Sequence, residues 1–252
     1  MAAGENPPEG IVEATGEPLP RWVWDEGEPV NRDFTSEDEV ARYDAFHARF
    51  RDIGCELARL EAWFLEDGTA AAPRLGEFGC GTGRFVLRMA PKCAEMWVVD
   101  LSAAMLRLTA AQARAAGIRN ARFRRGTFLT YRHDGGPLDG WNCSLALHHL
   151  PDAWKFEALR RLAGWTRTGG KLALTDVVWP DDGPMAGAGA WQTWLHARGG
   201  ETLARDLEGH SRKEFSTLDW IMRGLLERAG WTVERLWVAD DGVVRTFFCK
   251  KN

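Results

Sequence analysis

Leu75-Gly76-Glu77-Phe78-Gly79-Cys80-Gly81-Thr82-Gly83-Arg84 decides the fold of this chain. A short apolar run ends in an acidic residue, glycines follow at alternate positions, and an amphipathic segment begins at Arg84. That pattern is a β-strand, a tight turn and a helix N-terminus, the opening unit of a nucleotide-binding α/β sheet. The spacing carries the information. A dinucleotide site reads G-x-G-x-x-G, but Arg84 follows Gly83 and the run here is G-x-G-x-G. Glu77 would also repel a pyrophosphate against the turn, so a cofactor with a cationic end and no phosphate suits it better. Trp97-Val98-Val99-Asp100 is a second apolar run ending in a carboxylate, 100 − 79 = 21 residues beyond Gly79. At that distance a carboxylate accepts hydrogen bonds from ribose hydroxyls. Asp100 can also cap the Ala- and Leu-rich helix that follows Ser102.

The 252 residues suffice for one full α/β domain with additions. With 45% hydrophobic and 27% charged residues the composition is that of a soluble globular protein. A net charge of −4 argues against a dedicated nucleic-acid binder. No apolar run approaches the length of a membrane span, and Met1–Pro20 lacks the pattern of a signal peptide. Five scattered cysteines without a C-x-x-C pair suggest reduced thiols and a cytoplasmic location. Thirteen tryptophans are unusual. Trp22, Trp24, Trp179, Trp191 and Trp194 fall outside the expected central sheet, where they can line an apolar pocket or pack added helices.

Residues 1–31 read as a flexible arm, and 32–252 as one domain. Residues 36–66 carry apolar positions at helical spacing, with Ser36 and Glu39 as a capping box and a break expected at Gly54. Strands are expected at 74–78, 96–100, 121–126, 140–147 and 171–178, with helices over 84–90, 103–116 and 154–166. This alternation implies a parallel sheet covered by helices on both faces. Residues 180–215 read as an irregular insertion with short helical pieces. A helix over 218–229 follows, and then two apolar runs joined by Ala239-Asp240-Asp241-Gly242, a hairpin that ends the sheet with an antiparallel strand.

In this order the motifs resemble those of class I S-adenosylmethionine-dependent methyltransferases, across roughly residues 75–250. Glu77 through Gly83 looks like the first motif of that family, and Asp100-Leu101-Ser102-Ala103-Ala104-Met105-Leu106 like its second. The resemblance implies a Rossmann-like sheet of seven strands, mostly parallel with the last antiparallel. It implies S-adenosylmethionine as cofactor and S-adenosylhomocysteine as product. It further implies a cofactor site made by Glu77, Gly79, Gly81, Gly83, Asp100, Leu101, Met105, Gly126, Thr127, Phe128 and Leu145. There Asp100 holds the ribose, Met105 packs on the adenine, and Gly126-Thr127-Phe128 borders the ring. Thr127 stands where such enzymes often carry Asp or Ser, which puts the adenine-amine contact in doubt. The helices over 36–66 are expected to fold over the cofactor as a lid, bringing Tyr43 to it, and 180–215 to cap the substrate.

Leu147-His148-His149-Leu150 looks like a signature of small-molecule methyltransferases. His148 and His149 follow the fourth strand, at the edge where open α/β sheets bind ligands, and histidine titrates near neutrality. With His210 of the insertion they are the candidates for a catalytic or acceptor-binding role. No metal is expected, because adjacent histidines seldom converge on one ion and no second pair of ligands is evident. The expected activity is methyl transfer to an oxygen, nitrogen or carbon of a small molecule, by a monomer or homodimer without nucleic-acid or membrane partners. A methyltransferase acting on protein or RNA, or a non-catalytic cofactor-binding scaffold, are the alternatives.

Overall fold

A computed structural model describes residues 10–13, 19–31, 36–66 and 71–252. Its centre is a sheet in which β2 (Arg74–Phe78), β3 (Glu95–Asp100), β4 (Ala121–Arg125), β5 (Leu138–Ser144) and β6 (Thr166–Trp179) run parallel. The hairpin β8 (Trp231–Val238) and β9 (Val244–Lys251) closes it, with β9 inserted antiparallel between β6 and β8. Two short strands extend the expected seven. β1 (Ile11–Glu13) pairs parallel with β4, and β7 (Thr217–Leu218) pairs with the end of β6. The strand order is β1-β4-β3-β2-β5-β6-β9-β8. The chain therefore reverses direction of travel between β2 and β5, the switch point at which such sheets bind ligands.

Strands buried on both faces must be apolar at every position. In β3, Trp97 and Val99 face one core while Met96 and Val98 face the other, and all four are buried. On the first face α5 (Asp152–Gly164) and α7 (Asp219–Arg228) pack on Trp141, Phe78 and Trp231. On the second, α2 (Ile53–Leu65), α3 (Arg84–Met89) and α4 (Ala103–Ala115) pack on Leu75, Met96 and Val98. Gly76 has a steric reason. A Cβ there would lie 2.3 Å from the Trp141 ring on the adjacent strand.

Several elements differ from their sequence reading. The helical region breaks at residues 48–52 and not at Gly54, which lies inside α2. Asp52 caps that helix by accepting from Cys55 N at 3.0 Å. Ser36 precedes α1 (Glu37–His47) in extended conformation but makes no side-chain cap bond, so the capping box is not formed. The 180–215 segment is not irregular: α6 (Pro184–Lys213) is continuous but for a kink at Gly200, where φ is +67°. Its glycines are poor helix formers. Trp191, Leu195 and Leu203 are buried against Val177, Trp179 and Val244, and that packing outweighs propensity. Of the 1–31 arm, 11–13 form β1, Leu19 and Val23 pack near Leu129 and Trp154, and Trp24 and Glu26–Asn31 reach the sheet's ligand edge; residues 1–9 and 14–18 fall outside the described residues.

Candidate active site

The carboxyl ends of β2, β3, β5 and β6 meet the N-terminal helix α1 and the C-terminal half of α6 around a cavity of about 220 Å³. On one side stands the glycine loop. Gly79 and Gly81 both adopt positive φ (+75° and +51°), which a side chain disfavours. A Cβ at Gly79 would lie 2.7 Å from that of Ala146, so this loop packs against the loop after β5. A Cβ at Gly81 would meet only Tyr43, at 3.9 Å, and otherwise project into open cavity.

Asp100 ends β3 beside this loop. Its Oδ2 accepts from Gly81 N at 3.1 Å and its Oδ1 from Ser102 N at 2.8 Å. Burial raises its pKa, and the two amides restrain the rise. Helix α4 is capped instead by Ser102, whose Oγ accepts from Met105 N at 3.2 Å. Leu101, Met105, Gly126, Thr127 and Phe128 line the same side, Phe128 stacked on Phe78 at 4.1 Å. Thr127 Oγ1 accepts from Leu129 N and Thr130 N, which commits the hydroxyl to its own turn.

Two expected cofactor residues do not line the cavity. Strand alternation turns Glu77 away from Phe78, where Asn142 on β5 donates to Oε1 at 3.1 Å. Its Oε2 has no hydrogen-bond partner, and burial holds the carboxyl well above the usual range. Gly83 is the N-cap of α3, and a Cβ there would strike Thr109 Cγ2 at 2.4 Å; its role is packing.

Residues that the sequence reading missed fasten the rim. Asp44 of α1 accepts from Thr82 Oγ1 at 2.7 Å and from Arg84 Nε at 3.0 Å, tying the helix that carries Tyr43 to the glycine loop. Burial alone would raise its pKa; Arg84 and Thr82 outweigh that and lower it. Glu26 accepts from Phe128 N and Leu129 N at 3.0 and 2.9 Å, clamping the loop after β4. Neither pattern has a local sequence signal.

The opposite side gathers all three expected histidines with Leu145, Phe46, Phe50, Trp24 and Trp191. Of the other singled-out tryptophans, Trp179 packs on Trp191, and Trp22 is exposed. Leu145 is the one non-glycine residue with positive φ (+53°) among the described residues, a strained position that aims the following turn. His148 Nδ1 bonds Asp176 Oδ1, and its Nε2 lies 3.2 Å from Glu214 Oε2. His210 Nδ1 bonds the same Glu214 oxygen, and its Nε2 lies 2.7 Å from Ser216 Oγ. Burial disfavours charge on His148, yet Asp176 and Glu214 on either side hold its pKa above the ordinary value. At His149 burial and the neighbouring His148 outweigh the pull of Glu214 and Asp176 and push the pKa down to about 3, so it is neutral at physiological pH. His148 and His210 have both ring nitrogens engaged. His149 is the least buried of the three.

Known proteins share the domain and the fold. Residues 77–170 match a family model described as a methyltransferase domain. An uncharacterized methyltransferase of Geobacillus kaustophilus, GK2543, is 29% identical over 156 residues, which is 62% of this chain and 67% of that one. Among solved structures, the N-methyltransferase NodS of Bradyrhizobium japonicum WM9, in complex with S-adenosylhomocysteine, aligns with a TM-score of 0.61. It is 15% identical, and the alignment covers 87% of this chain and 99% of NodS. The magnesium protoporphyrin IX methyltransferase of Synechocystis PCC 6803, with bound S-adenosylmethionine, gives 0.58 at 15% identity over 89% of this chain and 100% of that one. The glycine cradle fits the cofactor: a Cβ at Gly81 would fill its space, and no phosphate-binding third glycine is present. The methyltransferase domain match and the curated relative support an S-adenosylmethionine-dependent methyltransferase, and the solved structures show its Rossmann-like fold.

Proposed function

We propose that the acceptor is a small, partly aromatic molecule held at the histidine side of the cavity. One observation carries this reading: the cofactor side and the aromatic, histidine-lined side are two walls of the same space. Helix α1, helix α6 and residues 24–31 roof it, which suits a small guest better than a polymer. Bound S-adenosylmethionine supplies an activated methyl group on a cationic sulfonium. The chain's own work is then positioning. Gly79 and Gly81 admit the methionine part, Asp100 holds the ribose, and Leu101, Met105, Gly126, Thr127 and Phe128 enclose the base. Tyr43 on α1 closes over Gly81. Residues 36–66 act as the lid, and α6, within 180–215, caps the acceptor; with the sheet they make one domain over 32–252.

His149 offers the acceptor a neutral imidazole at the cavity wall, and His148 and His210 hold that wall in shape. Glu77 supports the glycine loop from beneath through Asn142. The cytoplasm, with its supply of cofactor and reduced thiols, is the proposed location. Among the described residues, no helix is long and apolar enough to cross a membrane.

The test is methyl transfer from radiolabelled S-adenosylmethionine to fractionated cell extract. Label is expected in the small-molecule fraction, and to disappear with Asp100→Ala. Label confined to protein or RNA would overturn the reading of the acceptor. The absence of any binding of S-adenosylhomocysteine by calorimetry would overturn the cofactor site itself.

A further inference from the structure

Three side chains with metal-ligating atoms stand at the histidine wall: His148, His210 and Glu214, whose donor atoms all lie within 4.8 Å of one another. His210 and Glu214 are four residues apart at the end of α6, so one helical face presents both. His148 reaches them from the turn after β5, and Phe215 N donates to His148 O at 2.8 Å, fixing the two segments together. Lys155, fully buried, anchors the same corner by donating to Phe215 O and to Asp152.

What distinguishes this cluster from an ordinary polar network is how each remaining polar atom is held. His148 gives Nδ1 to Asp176 and turns Nε2 toward the shared point. His210 gives Nε2 to Ser216 and turns Nδ1 there. Glu214 takes Asn31 Nδ2 on Oε1 at 2.8 Å and turns Oε2 there. Metal-binding histidines usually have their second nitrogen held in this way, by a carboxylate or another oxygen. Ligands at zinc-like bond lengths sit about 3.3 Å apart around a tetrahedral ion. The 3.2 Å between His148 Nε2 and Glu214 Oε2 is close to that spacing, whereas His210 Nδ1 and Glu214 Oε2 are in direct hydrogen-bond contact and would have to move apart for an ion to enter. All three ligands line the cavity, so a fourth position faces the acceptor side.

We propose that His148 Nε2, His210 Nδ1 and Glu214 Oε2 bind one divalent cation of the zinc class, open toward the cavity. Two imidazoles and one carboxylate select borderline transition ions over magnesium or calcium, which prefer oxygen alone. This reverses the sequence expectation of no metal, because the second pair of ligands lies more than sixty residues from the first. If the methyl-transfer reading above holds, the open position is where a heteroatom of the acceptor is gripped; that role rests on it, and binding of the ion does not.

The full chain, stripped with chelator, is titrated with Zn²⁺ against a chromogenic chelator and separately with Co²⁺, with no cofactor or acceptor present. One ion per chain is expected, with Kd on the order of 1 μM or tighter. Glu214→Gln and His210→Ala should each weaken binding at least 100-fold, and Asp176→Asn by about 10- to 100-fold. Retained affinity for S-adenosylhomocysteine verifies that each variant is folded. Wild-type protein that binds neither ion, or binds them equally well in all three variants, overturns the site. A thiolate-to-cobalt charge-transfer band would also overturn it, placing the ion on cysteine. Loss of methyl transfer with intact metal binding would instead count against the acceptor reading alone.

Discussion

Gly79 joins the two loops on which the site depends, and its replacement by alanine tests that junction. Gly79 sits at φ +75° in the glycine loop, and Ala146 begins the turn that carries His148 and His149. Alanine at 79 meets two separate costs. The left-handed backbone costs about 1–2 kcal/mol for a residue with a Cβ. The new Cβ would lie 2.7 Å from Ala146 Cβ, well inside the roughly 3.5–4.0 Å at which carbons pack. Relieving that overlap costs about 1–3 kcal/mol more. Gly79→Ala should therefore destabilise by about 2–5 kcal/mol in urea unfolding, with an unchanged m-value. A displacement near 1 Å at the loop should weaken S-adenosylhomocysteine about 100-fold.

The two costs separate in a double-mutant cycle. Ala146→Gly removes the facing Cβ and by itself loses at most about 1 kcal/mol. Combined with Gly79→Ala it should recover the steric part and leave the backbone part, a coupling of about 1–3 kcal/mol in favour of the pair. Cofactor affinity should recover by about tenfold in the same variant. If the double variant is no better than the sum of the two singles, within about 0.5 kcal/mol, the loops are not in contact and the joined site is wrong.

Two further outcomes are expected. Asp44→Ala cuts the bonds from Thr82 and Arg84 that hold α1 on the glycine loop, and should weaken the cofactor about tenfold, the worth of one charge-assisted bond; unchanged affinity in equilibrium dialysis would remove α1 as a lid. Burial alone would raise the pKa of half-buried Glu95, but its pairing with Arg74 and Arg122 outweighs that and lowers it from 4.5 to about 2. A lowered folded-state value means stability present above pH 4.5 and lost as pH falls toward 2. Glu95→Gln should thus cost on the order of 1 kcal/mol at pH 7, and the gap to wild type should narrow between pH 4.5 and 3 in chemical denaturation. A gap that stays constant over that range would show the pair to be inert.

What was legible in the sequence is what repeats locally. The β2 glycine loop, the Asp100 strand end and the β8–β9 hairpin announce themselves through alternation, spacing and turn residues within about 25 positions. From these come the parallel sheet and its switch point, and thirteen of the fifteen expected site residues do line one cavity. Glu77 lies outside the cavity lining for a local reason too. Strand alternation assigns it to the face opposite Phe78, a consequence of period two that the motif's chemistry obscured. α6 is not legible from propensity alone, because its stability comes from its partner surface. Gly187, Gly189, Gly199 and Gly200 argue against a helix until Trp191 and Leu195 find the end of β6.

The residues that complete the site follow a different rule. Glu26, Asn31 and Asp44 act from up to 183 positions away, on Phe128, Glu214 and Thr82, and no short-range pattern marks them. His210 and Glu214 do carry a faint signal, the four-residue spacing on a helix, but that helix was not expected to be continuous. Without it the two side chains have no common face, and the pair cannot be set against His148. One element, α6, therefore decides both the enclosure of the cavity and the meeting of His148, His210 and Glu214. The same reasoning locates where this enzyme can be respecified. The proposed cofactor wall is fixed by backbone conformation at Gly79 and Gly81 and tolerates little. The proposed acceptor wall takes α6 side chains held by packing, and volume-conserving changes at Trp191 or Leu207 are expected to reshape it with the sheet left intact.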